Sequence, residues 1–116
     1  MANQDFIPIG EDWFISVSLT DESTGLSITS LTLTATLKTE AGVTVTVAGQ
    51  GDAMATVSYD ATSARYEGTI PGTRLTGLTG PTSAGVETWY VLWLTEAAGK
   101  VNRKIRLPAR YHGKSP

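Results

Sequence analysis

The chain has 116 residues, a net charge of −2 and no cysteine. That length suits one domain with a single core, and the missing thiols exclude disulfide frameworks, cysteine-ligated zinc, iron–sulfur clusters and thiol catalysis. Charge is unevenly spread: residues 1–60 hold eight acids and one base, whereas residues 61–116 hold eight bases and three acids.

Such an asymmetry is expected to set acidic and basic strands side by side, within the fold or against a neighbouring subunit. No run approaches the roughly 18–20 apolar residues that span a bilayer. The first residues lack the basic-then-apolar order of a secretory signal. The expectation is a soluble protein made in a cytoplasm.

The first predicted strand is Asp5–Ile9. Pro8 has no N–H to give a ladder, so this strand belongs at a sheet edge. Asp12–Thr20 follows, with Trp13, Ile15, Val17 and Leu19 on one face and Ser16, Ser18 and Thr20 on the other. Asp21–Gly25 reads as a turn and Leu26–Ile28 as a short extended step. Thr32, Thr34, Thr36 and Lys38 then alternate with Leu31, Leu33, Ala35 and Leu37. A period of two means a strand with one dry face. Threonine suits it, because a branched Cβ fits the pleated surface.

Glu40–Gly42 is a tight turn into Val43–Val47, which reads as a hairpin. A second hairpin is expected from Ala53–Tyr59 and Ala64–Ile70 around residues 60–63, with Tyr66, Gly68 and Ile70 inward. Pro71 and Gly72 end it. The long segment Leu75–Gly85 lacks strand pattern, apart from one helical turn near Thr73–Leu78; loops of this length are often functional.

Glu87–Thr95 is apolar on both faces: Trp89, Val91 and Trp93 on one, Tyr90, Leu92 and Leu94 on the other. Such a strand is covered on both sides or shows one face to a partner. Tyr90, or one of Trp89 and Trp93, is then available to that partner. Val101–Pro108 is the last strand, with Arg103 on its apolar side and expected to meet a carboxylate at the sheet rim. Ala109–Pro116 reads as an extended tail. The expected core is Trp13, Ile15, Val17, Leu31, Leu33, Leu37, Tyr66, Ile70, Leu92 and Ile105. Seven or eight short strands in hairpins suit a two-sheet immunoglobulin-like antiparallel sandwich, with a small barrel as the competitor.

Chemical motifs are sparse. His112 is the single histidine, so neither a histidine-rich metal site nor a Ser-His-Asp relay has support. The pairs Glu11-Asp12 and Asp21-Glu22 lack calcium-loop spacing and read as solvated turn charges. Gly72, Gly77, Gly80 and Gly85 are not followed by Lys-Ser/Thr, so they read as turn residues rather than a phosphate cradle. No catalytic residue, cofactor or metal is expected.

Lys100, Arg103, Lys104, Arg106, Arg110 and Lys114 make a basic end beside Tyr111. One basic strand in an acidic chain fits an acidic protein surface better than nucleic acid. The candidate interface residues are Trp89 and Trp93, Leu75 and Leu78 of the long loop, and Arg106, Arg110, Tyr111, His112 and Lys114. Tryptophan and arginine are frequent interface anchors.

The order of motifs is also informative. Gly10-Glu-Asp-Trp13 leads into Ser16-Val-Ser-Leu-Thr-Asp21, then Gly25-Leu-Ser-Ile28, the strand to Thr39 and the turn Glu40-Ala-Gly42. Tyr66-Glu-Gly-Thr-Ile-Pro71, Trp89-Tyr-Val-Leu-Trp-Leu-Thr95, a Gly99 turn and Arg103–Leu107 complete it. This order, over about residues 5–108, resembles the immunoglobulin-like modules of tailed-phage virion proteins, such as the N-terminal docking domain of upper baseplate proteins. The resemblance implies a virion structural protein without catalytic residues. Baseplate modules lead into a fibre or receptor-binding part, whereas this chain ends eight residues past its last expected strand. A decoration, neck or adaptor subunit is therefore expected, bound to other virion proteins and to copies of itself. A fibre-docking subunit is one alternative. A carbohydrate-binding module, with Trp89 or Trp93 stacked on sugar, is another.

Overall fold

Alternating segments become strands wherever a neighbour completes the ladder. The computed structural model describes residues 6–99 and 101–111. Its regular structure is all-β apart from a single 3-10 turn at Gly72–Arg74. The strands are β1 (Ile7–Pro8), β2 (Trp13–Val17), β3 (Thr32–Thr39), β4 (Thr46–Val47), β5 (Gly51–Asp52), β6 (Met54–Asp60), β7 (Arg65–Ile70), β8 (Trp89–Glu96) and β9 (Asn102–Arg110).

Seven of them form one mixed sheet in the order β1-β9-β8-β3-β6-β7-β2, while β4 and β5 make a separate ribbon. The β1–β9 pair is parallel and the other pairs are antiparallel. As Pro8 requires, β1 is an edge strand.

The connectivity forces this sheet to curl. Strands β1 and β2 sit at its two ends, yet only residues 9–12 join them. A flat sheet of seven strands would separate its edges by about 29 Å at a spacing of about 4.8 Å. Five extended steps from Pro8 to Trp13 reach about 18 Å at most. The edges must come together, which gives the nearly barrel-shaped body.

Three hydrogen bonds hold the seam. Ile9 N–H extends the β1–β9 pairing by donating to Arg110 O at 2.9 Å. Gly10 has φ +74°, which suits glycine at the reversal, and its N–H donates to Leu75 O at 3.3 Å. The Gly72 N–H donates to Asp12 Oδ1 at 2.7 Å. Gly72 also lies against the link itself: a Cβ there would stand 2.6 Å from Glu11 C and 2.8 Å from Asp12 N.

Strand β6 divides its pairing between two neighbours. Its residues Met54–Ser58 pair with β3, and Ser58–Asp60 pair with β7. Gly68 of β7 approaches the first half closely, since a Cβ there would meet Thr56 O at 2.5 Å. The missing side chain permits this approach.

The core fills the curl. Trp13, Ile15 and Val17 from β2 meet Leu33, Ala35 and Leu37 from β3, Tyr66 and Ile70 from β7, and Tyr90, Leu92 and Leu94 from β8. Leu31 and Ile105 are only partly buried. Leu31 precedes β3 at the end where the turns 21–25 and 60–64 lie. β1 pairs only with Ala109 and Arg110, so the stretch of β9 bearing Ile105 has a ladder partner on one side alone.

Three sequence expectations are corrected. Leu75 and Leu78 are buried core residues, because the 3-10 turn folds the start of the long loop onto the seam. Ala109 and Arg110 belong to β9 rather than to a tail, since β1 gives them a partner. The Val43–Val47 return is also shorter than a full hairpin. It touches β3 through the Lys38–Thr44 bridge and then turns away into the β4–β5 ribbon. Arg74 fastens that ribbon through Gln50 O and Asp52 O.

Leu33→Ala should cost about 2–5 kcal/mol, the range for emptying a buried leucine site, read from a denaturant midpoint. An unchanged midpoint removes Leu33 from the core. Gly72→Ala should cost about 1–3 kcal/mol through overpacking. Gly77→Ala is the control, since its Cβ would lie 3.9 Å from Val47 Cγ2. Equal melting temperatures for the two variants would contradict the tight seam.

Candidate protein-binding face

Strand β8 lies mid-sheet between β3 and β9. Its register sets Thr36, Trp93 and Lys104 in one row, and Lys38, Val91 and Arg106 in the next. Tyr90, Leu92 and Leu94 point into the core, so Trp89, Val91 and Trp93 point outward and are half-buried. The ambiguity over Tyr90 is thereby resolved: it is a core residue, and its hydroxyl accepts the Thr79 N–H at 2.9 Å.

Cations from the flanking strands lie on the outward tryptophans. Lys38 Nζ from β3 is 4.1 Å from the Trp93 ring centroid, and Lys104 Nζ from β9 is 4.0 Å from it. The Arg106 guanidinium is 4.2 Å from the Trp89 ring and also pairs with Glu40 at 2.5 Å. Each cation–π contact contributes about 0.5–1 kcal/mol at such exposed sites. The Glu40–Arg106 pair is half-exposed on both sides and is worth about 0–1 kcal/mol. It is one place where the acidic and basic halves of the chain meet. Lys38 and Lys104 have no carboxylate partner among the described residues.

The other expected interface residues fare differently. Arg110 is bound locally: its guanidinium donates to Glu87 and lies 5.8 Å from the Phe6 ring. Tyr111 is 45% exposed and packs one edge on Gly80, where a Cβ would stand 2.9 Å from Tyr111 Cε2. The beginning of the tail thus rests on the long loop. His112 and Lys114 lie outside the described residues, as does Lys100. Leu75 and Leu78 are interior. Arg103 is exposed and makes no ion pair among the described residues, against the expectation of a rim carboxylate.

The acidic turn pairs have local roles. Asp12 receives Gly72 N–H, and Asp21 Oδ1 accepts both the hydroxyl and the N–H of Ser23. Those two bonds from Ser23 hold the Asp21 carboxyl below its ordinary value. Two clefts flank this turn; one is lined by Thr20–Ser23, Ile28, Ser30 and Leu31, the other by Ser18, Thr20, Glu22, Ile28, Asn102 and Arg103 among others. Neither contains an aromatic side chain.

In the sequence Lys104 reads as part of the basic end and Lys38 only as an outward strand residue, and neither is among the candidate interface residues. Their outward parity was visible, but the strand register that brings both to Trp93 was not. Comparison with family models, with curated proteins and with solved structures found no match.

Glu87 provides a pH test. The guanidinium hydrogen bond from Arg110 holds its carboxyl below the ordinary 4.5. A depressed carboxylate stabilises the fold above its unfolded-state value and loses that contribution as pH falls through the folded value. The melting-temperature gap between wild type and Glu87→Gln should therefore be full above 4.5 and shrink below it. A gap that widens on acidification would contradict the pairing.

Proposed function

We propose that this chain is a non-enzymatic structural protein of a tailed-bacteriophage particle, a decoration, neck or adaptor subunit that binds a repeated protein lattice. The binding part of this reading is carried by one observation: the central strand of the sheet shows Trp89, Val91 and Trp93 outward, half-buried among cationic side chains. Buried cores of protein interfaces favour tryptophan and arginine. The particle part rests on the order of sequence motifs that resembles phage immunoglobulin-like modules.

The finer architecture in this proposal is an immunoglobulin-like two-sheet sandwich. Strands β1, β9, β8 and β3 would form one layer and β7 and β2 the other. The split pairing of β6 between β3 and β7 supports a corner joining two such layers.

The partners in this reading are other virion proteins and further copies of the chain. Weak contacts become effective on a symmetric scaffold through avidity. The subunit would be made in the bacterial cytoplasm and reside in the virion. No helix among the described residues is long and apolar enough to cross a membrane. A tail or baseplate fibre-docking subunit would use the same face. A carbohydrate-binding module is less well supported, because sugar stacking needs open ring faces and the cations sit on those of Trp89 and Trp93.

The test is incorporation into particles produced from the genome that encodes the chain, followed by mass spectrometry of the purified virions. Wild type should be present. Trp89→Ser/Trp93→Ser should keep a cooperative melt and be depleted from the particles. Absence of the wild-type chain from purified virions would overturn the reading.

A further inference from the structure

We infer that the outer face of β3, β8 and β9 is a docking site for an acidic segment of a partner protein, with Lys38 and Lys104 as its carboxylate-binding pair. The inference rests on the reading of the chain as a binding subunit and names the chemistry of what it binds.

Three observations carry it. Lys38 and Lys104 reach the same ring, Trp93, from strands on opposite sides of β8. Two like charges are thus brought to one indole without a carboxylate partner among the described residues. An acidic segment laid across the ring would offer each ammonium its own carboxylate, with a charge-assisted hydrogen bond to each. Second, the neighbouring row already contains a small version of the same contact. Glu40 binds Arg106 while Arg106 lies on Trp89. A carboxylate on a tryptophan-backed cation is therefore an arrangement this face makes within itself. Third, Val91 lies between Trp89 and Trp93 along the outer face of β8, and between Lys38 and Arg106 across the sheet. It offers a partner apolar contact beside the charges.

The same geometry weighs against nucleic acid. Single strands gain much of their affinity by stacking bases on open aromatic faces. Here both outward rings carry cations. A carboxylate needs only the ammonium groups and leaves the rings where they are.

Trp13 is buried in the core, so its indole serves as an internal reference for the two outward ones. Short poly-glutamate, titrated into the full chain, should shift the Trp93 and Trp89 indole N–H resonances in NMR spectra and leave Trp13 in place. Binding should weaken with added salt and fall by about tenfold or more in Lys38→Glu/Lys104→Glu, as expected for losing close charge pairs. An oligothymidylate of equal charge should bind more weakly than the peptide. Trp93 resonances that ignore poly-glutamate, or equal affinity in the double variant, would overturn the inference. Tighter binding of oligothymidylate would overturn it too, and make the face a nucleic-acid site. The incorporation test separates the two levels. A Lys38→Glu/Lys104→Glu chain that enters virions like wild type overturns the acidic-partner inference alone. A wild-type chain missing from virions overturns the particle reading itself.

Discussion

The short link between β1 and β2 is the constraint on which the architecture depends. It joins the two ends of a seven-stranded order through residues 9–12, so the sheet cannot lie flat. Everything at that end serves the closure. Asp12 receives Gly72, Gly10 donates to Leu75, and Leu75 and Leu78 fill the space beneath. A residue with a side chain at position 72 would collide with backbone rather than with a movable group. The seam thus combines a close backbone approach at Gly72 with a hydrogen bond to the Asp12 side chain.

Closure also divides the strand faces. The inner face of β3 and β8 is dry, with Leu33, Ala35, Leu37, Leu92 and Leu94 buried. The outer face holds two of the three tryptophans, half-buried. Exposed central strands of ordinary domains carry polar residues outward, as the threonines of β3 do. The rings of Trp89 and Trp93 are instead kept partly shielded by Lys38, Lys104 and Arg106. Such shielding keeps an apolar face compatible with water while leaving charge at its surface. That combination is what the proposed binding role draws on.

Much of the fold was legible in the sequence. Alternation identified β2, β3 and β7, a run apolar on both faces identified β8, and Pro8 correctly marked an edge. Most of the expected core is buried, and the helical turn near residue 73 is present. What failed needed pairing information. Leu75 and Leu78 lack strand periodicity because they are anchored by a turn, so they read as loop residues free for a partner. Ala109 and Arg110 gain their strand from β1, more than a hundred residues away in sequence. The candidate face was half visible: the two-sided apolar pattern of residues 87–95 pointed to it, and Trp89, Trp93 and Arg106 were singled out. Lys38 and Lys104 joined it only through register, since a strand's partners are not encoded in its own alternation.

The central claim is that this cation-bearing tryptophan face is what the subunit offers to its assembly. A cryo-electron microscopy reconstruction of the assembled particle, at a resolution that places side chains, tests it directly. The account predicts Trp89, Val91 and Trp93 buried against a neighbouring protein, with aspartate or glutamate oxygens beside Lys38 and Lys104. A reconstruction in which this face looks into solvent, while the subunit attaches through another surface, would contradict it.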